Sequence, residues 1–187
     1  MIQFNFSPFP ELHSERLWLR KLTADDVEAV FRLRSNPQTM QYIPRPLVTD
    51  HEGAMAHIQM INDHIDNNAC INWAVEMRDS GEFAGIIGFY RPQPENFRAE
   101  LGYMLLPEHS GKGVATEAVG LALDYGFTVM QLHSVEAVID PANEGSERVL
   151  LKHGFVKEAH FVENLFFNGE FLDSVHYTLL KRNHQVR

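Results

Sequence analysis

The sequence predicts one mixed α/β domain, and three observations carry that prediction. At 187 residues, with 44% hydrophobic and 22% charged residues, the chain has the length and composition of a single folded domain. Segments of period 2 and period 3.6 alternate along it in the order β-α-α-β-β-β-α-β-α-β-β. No repeat, low-complexity tract or linker interrupts residues 1–187, so they read as one domain preceded by an arm at 1–11.

The arm is rich in phenylalanine and proline and has no period, which suits a segment packed across the domain or against a partner. Arg16–Leu22 alternates apolar and basic residues, a half-buried strand with Leu17 and Leu19 inward. Thr23, with Asp25 and Asp26 behind it, starts a helix whose stripe is Val27, Val30, Phe31 and Arg34, and Asn36-Pro37 ends it. After the connection bracketed by Pro44 and Pro46, Thr49-x-x-Glu52 predicts a capping box. The helix that follows shows Met55, Ile58, Ile61 and Ile65 on one side.

Ile71–Met77 and Phe83–Arg91, joined by Asp79-Ser80-Gly81, form a predicted hairpin. A strand follows over Glu100–Leu106 and stops at Pro107. Gly111 and Gly113 make a glycine-rich loop into a helix over about Val114–Met130, whose start presents unpaired N–H groups and a positive dipole end. Taken alone, this loop is either a phosphate site or a tight turn that needs glycine for steric reasons. His133–Ile139 is a strand, and Ser146–His153 a short helix stopped by Gly154. Val156–Phe166 and Phe171–Leu180 form a second hairpin through Asn168-Gly169.

The net charge of −9 argues against nucleic-acid binding, and no apolar run is long enough for a membrane helix. The N-terminus carries no basic start or cleavage site of a signal peptide, so a cytoplasmic setting is expected. Cys70 is the single cysteine, which rules out an internal disulfide; a small buried filler is the reading preferred to a catalytic thiol. The ten histidines form no metal-binding spacing, and no metal is expected. Gly111-Lys112-Gly113 also lacks the spacing of a Walker-type nucleotide loop.

Four motifs in order resemble one family. Ser14-Glu15-Arg16-Leu17-Trp18-Leu19-Arg20, Ala99-Glu100-Leu101-Gly102-Tyr103, Gly111-Lys112-Gly113-Val114-Ala115-Thr116-Glu117-Ala118 and Asn143-x-x-Ser146…Gly154-Phe155 are similar to the GNAT superfamily of acetyl-CoA-dependent N-acetyltransferases, and within it to the RimJ/RimL-like branch. The resemblance implies a central, mostly antiparallel twisted sheet splayed between its fourth and fifth strands, with about four helices. The acetyl-CoA pantetheine would then enter the gap beside Leu105 and Leu106. It also implies a pyrophosphate held by Gly111, Lys112, Gly113, Val114, Ala115 and Thr116. The family loop opens on glutamine or arginine where this chain has Ser110, which removes one side-chain contact from that expectation.

Acetyl transfer to an amine needs a neutral nucleophile and a protonated leaving thiolate. Glu100 is the expected base, with a salt-bridged or edge glutamate as the alternative, and Glu163 is a lesser candidate. Many family members protonate the thiolate with a tyrosine at the position of Leu150, so here Ser146 becomes the candidate acid, or else an N-cap serine. Asn143 is expected to bond the cofactor arm, or to serve the turn. The predicted reaction is direct acetylation of a primary amine, a protein N-terminus being preferred to a drug or polyamine. A CoA-binding regulatory module without turnover is the alternative. Oligomeric state stays open between monomer and homodimer, with Phe161, Phe166, Phe167 and Phe171 as core or dimer face.

Overall fold

A computed structural model describes residues 2–185; Met1 of the arm and residues 186–187 lie outside the described residues. Eight strands form one sheet: β1 Leu12–His13, β2 Leu17–Arg20, β3 Ile71–Met77, β4 Phe83–Gln93, β5 Arg98–Leu105, β6 Ser134–Ile139, β7 Val156–Phe167 and β8 Glu170–Leu180. They lie in the order β1-β2-β3-β4-β5-β6-β8-β7, antiparallel throughout except for the parallel β5–β6 pair. Among the described residues five α-helices accompany them: α1 Val27–Ser35, α2 Pro37–Met40, α3 His51–Asp66, α4 Val114–Thr128 and α5 Glu144–Lys152. The mixed α/β class and the sheet implied by the resemblance are therefore present. Two short elements, β1 and α2, had no signal long enough to read. With β1 counted, the splay falls between the fifth and sixth strands.

The core sits where β3 and β4 are covered on both faces, which explains their nearly unbroken apolar runs. Trp73, Ile87 and Phe89 are fully buried there, and the Trp73 indole N–H donates to the Pro10 carbonyl at 2.7 Å. Phe6 is buried too, and its N–H donates to Asn68 Oδ1 at 2.8 Å, so the described part of the arm packs across the end of α3.

Several local expectations need correction. The N-cap of α3 is Asp50, whose Oδ1 accepts the Gly53 N–H at 2.8 Å; a carboxylate one residue closer to the helix displaces Thr49 from the role. Met55 is exposed, and Ala54 takes its place on the buried side with Ile58, Ile61 and Ile65. Helix α5 begins at Glu144, with Asn143 as its N-cap, so Ser146 lies inside the first turn. Phe161, Phe166 and Phe171 are exposed on the last hairpin and belong to no core. Cys70 is half-buried, and burial raises its thiol pKa, which disfavours the thiolate. Among the described residues, no helix is long and apolar enough to cross a membrane.

Gly85 pairs with Leu105, and a Cβ built on it would lie 2.1 Å from the Met104 carbonyl oxygen and 2.9 Å from the Leu105 Cα. Both neighbours are backbone and cannot rotate away. Gly85→Ala is expected to lower stability by about 1–3 kcal/mol or more, measured by denaturant unfolding, because the overpacked strand pair must shift.

Candidate active site

Strand β5 has two different neighbours. On one side it pairs with β4 along its length, from Arg98↔Gln93 to Leu105↔Gly85. On the other it pairs with β6 only at Arg98↔Ser134, Ala99↔Val135 and Glu100↔Glu136. Beyond Glu100 the two strands part, although β5 runs on to Leu105 and β6 to Ile139. The Leu106 N–H donates to the Ala84 carbonyl at 2.9 Å. By strand alternation the Leu101, Tyr103 and Leu105 main-chain groups then face the gap. Of the two residues expected to meet a pantetheine arm, Leu105 presents its main chain to the gap, whereas the amide of Leu106 is already engaged.

The loop after β5 turns through Gly111 (φ 72°) and Gly113 (φ 80°), the left-handed region that favours glycine. The first α4 backbone bond runs from the Glu117 N–H to the Gly113 carbonyl at 3.0 Å, so the amides of Val114, Ala115 and Thr116 have no intrahelical acceptor. Nothing lies within 4 Å of where a Gly111 Cβ would stand, and Lys112 is exposed beside it. This is a concave, amide-lined helix start of the kind that takes phosphate.

One residue there carries the wrong charge for an anion, and the structure compensates for it. Glu117 in the first turn accepts from Ser14 Oγ at 2.6 Å and pairs with Arg16 at 2.5 Å. Burial pushes its pKa up, but the hydrogen bonds from Ser14 and Arg16 outweigh this and hold the carboxyl below its ordinary range. The Arg16 guanidinium also donates to the Lys112 carbonyl at 3.3 Å. Ser14 and Arg16 thus buttress the glycine loop. A groove of about 470 Å³ runs from Arg16 and Gly113 past Thr116 and Gly120 to Lys152.

Asn143 and Ser146 stand together at the start of α5. Asn143 Oδ1 accepts the Ser146 N–H at 3.0 Å, so the turn-forming alternative holds for Asn143, and the serine hydroxyl is not consumed by capping. Ser146 Oγ instead lies 2.7 Å from the Tyr103 hydroxyl. Tyr103 stands on β5 past the fork and Ser146 on the helix that follows β6, so this bond crosses the gap. Burial raises the Tyr103 pKa to about 12, keeping the phenol protonated. Sequence reasoning missed Tyr103; its place in Gly102-Tyr103, two residues after Leu101 on the same strand face, was the only signal.

Glu100 sits at the tip of the fork and faces the other side of the sheet, with Gly102 and Met104. It stands opposite Tyr90, whose ring lies where a Gly102 Cβ would come within 2.9 Å. Arg91 donates to Glu100 Oε2 at 2.5 Å, so the salt-bridged alternative is present; Oε1 has no partner among the described residues. Glu136, opposite Glu100, is held by His176 at 2.8 Å and Arg98 at 3.4 Å. Burial opposes that carboxylate, yet the His176 bond and Arg98 outweigh it and lower its pKa. Glu163 lies exposed on β7 at a bulge, its N–H donated to Asp173.

Comparison with known proteins agrees with this geometry. The family model described as "Acetyltransferase (GNAT) domain" matches residues 16–156. The chain is 36% identical to the N-acetyltransferase YoaA of Bacillus subtilis, covering 92% of this chain and 98% of that one. It is 30% identical to the spermidine N(1)-acetyltransferase of Escherichia coli, covering 94% and 90%. The crystal structure of spermidine N-acetyltransferase from Vibrio cholerae, in complex with CoA and spermine, superposes with a TM-score of 0.80 at 28% identity, covering 91% of this chain and 98% of that one.

His57 on α3 supplies a pH test of the face that Glu100 shares. Burial, and then the Arg34 charge, lower its pKa from 6.5 to about 4. Between those values the unfolded chain binds a proton that the folded chain refuses, so stability falls as pH drops from about 6.5 to 4. His57→Gln should remove that part of the loss, read as a smaller difference in unfolding midpoint between pH 7 and pH 4.5.

Proposed function

Because the chain belongs to the GNAT family and is an N-acetyltransferase, we propose that it moves the acetyl group of acetyl-CoA directly to a primary amine presented at Glu100. The observation that carries this reading is the fork. It exposes the backbone edge of Leu101–Leu105 to one ligand strand, sets the Tyr103–Ser146 hydroxyl pair on one face and sets Glu100 on the other.

The residues present fit acetyl-CoA. The free amides of Val114, Ala115 and Thr116, with Gly111, Lys112 and Gly113, suit a pyrophosphate. The gap edge at Leu105 suits an amide-bearing arm laid down as an added strand, and the groove toward Lys152 suits the nucleotide end. When bound, the thioester supplies the activated acyl group, and no protein nucleophile is required.

Glu100 is then the base: Oε1 is open to take a proton from the incoming ammonium, while Arg91 fixes Oε2. Ser146 is the hydrogen-bond donor for the departing sulfur, its hydroxyl oriented by Tyr103 rather than committed to the helix cap. Asn143 acts behind it by setting the first turn of α5. The acceptor meets the protein on the α1–α3 side, the face that Glu100 shares with Tyr90. The similarity to the spermidine acetyltransferases of E. coli and V. cholerae makes spermidine the competing acceptor.

Glu100→Gln and Ser146→Ala should each lower kcat/KM by about 10²–10⁴-fold, with the dissociation constant for acetyl-CoA nearly unchanged. Thiol release over a panel of peptide N-termini, spermidine and aminoglycosides, joined to calorimetric titration of acetyl-CoA, reads both quantities. Undiminished turnover in both variants would remove these assignments. Tyr103→Phe should lose less, about tenfold, if its part is to orient Ser146.

A further inference from the structure

Helix α1 holds an arginine in its apolar stripe. Arg34 is 9% exposed, its Nε has no hydrogen-bond partner, and its guanidinium reaches only the Met40 Sδ, at 3.5 Å. Among the described residues it has no carboxylate in ion-pair range. The other well-covered arginines differ: Arg20 is held by Asp26 and Glu76, and Arg98 by Glu136. The contrast is sharp in a chain with 25 acidic and 16 basic residues, where carboxylates are the commoner charge. Leaving a guanidinium this covered without a charged acceptor is destabilising, which a structural role alone would not require.

Its surroundings deepen the deficit. Arg45, on the connection that crosses α1, opposes its charge, and His57 beside it is kept neutral by burial and by Arg34 itself. The Val48 N–H donates to the Arg34 carbonyl at 3.1 Å, which ties that connection to the last turn of α1. Thr39 Oγ1, five residues on, is also buried without a partner. Arg34 acts electrostatically on Tyr90, and Tyr90 stands opposite Glu100, so the orphan guanidinium lies on the face from which the amine would approach.

We propose that Arg34, with Arg45 at the rim, is the subsite for a carboxylate carried by the acceptor, so that the substrate amine belongs to an amino acid or an acidic peptide rather than to a polyamine. The argument rests on the amine binding on the Glu100 face. A planar carboxylate matches the guanidinium fork and supplies the missing acceptors. A polyamine would bring more positive charge to Arg34 and Arg45, with Arg91 already claimed by Glu100.

The test is a matched series of ω-amino acids and diamines of equal chain length, with the peptide amides Ala-Asp and Ala-Asn, assayed by thiol release with acetyl-CoA. Wild type should favour the carboxylate member of the best pair by at least about tenfold in kcat/KM, the ion-pair range for one covered contact. Arg34→Gln should abolish that preference through KM more than kcat and should raise kcat/KM for the diamine; Arg34→Lys should keep part of the preference. A wild-type preference for diamines that Arg34→Gln leaves in place overturns the proposal. The thermal midpoint with and without succinate, on wild type and Arg34→Gln, separates the two failures. If no amine is acetylated, a succinate shift seen only in wild type upholds the subsite and condemns the transfer reading, and equal shifts or none in both proteins condemn the subsite.

Discussion

Parallel pairing between β5 and β6 lasts three residues, and everything distinctive about this domain follows from where it stops. Each of the two strands has its outer edge fully engaged, β5 with β4 and β6 with β8. Their inner edges therefore cannot find other protein partners and leave a row of backbone donors and acceptors open. Such groups are satisfied by water or by a ligand, so the fork is a built invitation to an extended, amide-bearing molecule. The base of the fork is fastened by Arg98, which reaches Ser134, Thr178 and Glu136 across both neighbouring strands. The upper part is spanned by the Tyr103–Ser146 bond.

Electrostatics follow the same division. On the α4–α5 face Glu117, at the helix start behind the glycine loop, is neutralised by Arg16 from the turn between β1 and β2, 101 residues away in sequence. On the α1–α3 face Glu100 and Glu136 stand side by side, held by Arg91 and Arg98, and Arg34 has no carboxylate partner among the described residues. An overall charge of −9 says little about either face, since both local fields are set by which side chains are paired. The proposed transfer would thus have its donor and acceptor groups on opposite sides of one strand, meeting where the strands part.

Legibility varied with the range of the interaction. The hairpin at Asn168-Gly169 was readable because its turn needs positive φ at both residues, and they have φ 49° and 87°. The glycine loop was readable for the same local reason. The caps were misread by one to three residues, since Thr49 and Asp50, or Asn143 and Ser146, are equally able to cap until the chain direction is fixed. Tyr103 was read as one more apolar strand residue, because its partner lies 43 positions on. Arg34 was placed in the right stripe, yet nothing in the sequence marked it as unpaired.

By itself the sequence determined the order of the longer elements, the fold class and the glycine loop, because periodicity, turn chemistry and glycine requirements act over a few residues. The tertiary structure alone decided where the β5–β6 ladder ends, that Asn143 caps and so frees Ser146, that Glu100 is clasped by Arg91, and that Arg34 has no carboxylate partner among the described residues. Those are facts about which distant groups come within hydrogen-bond reach. Reach is fixed by packing the whole chain, and no local pattern encodes it.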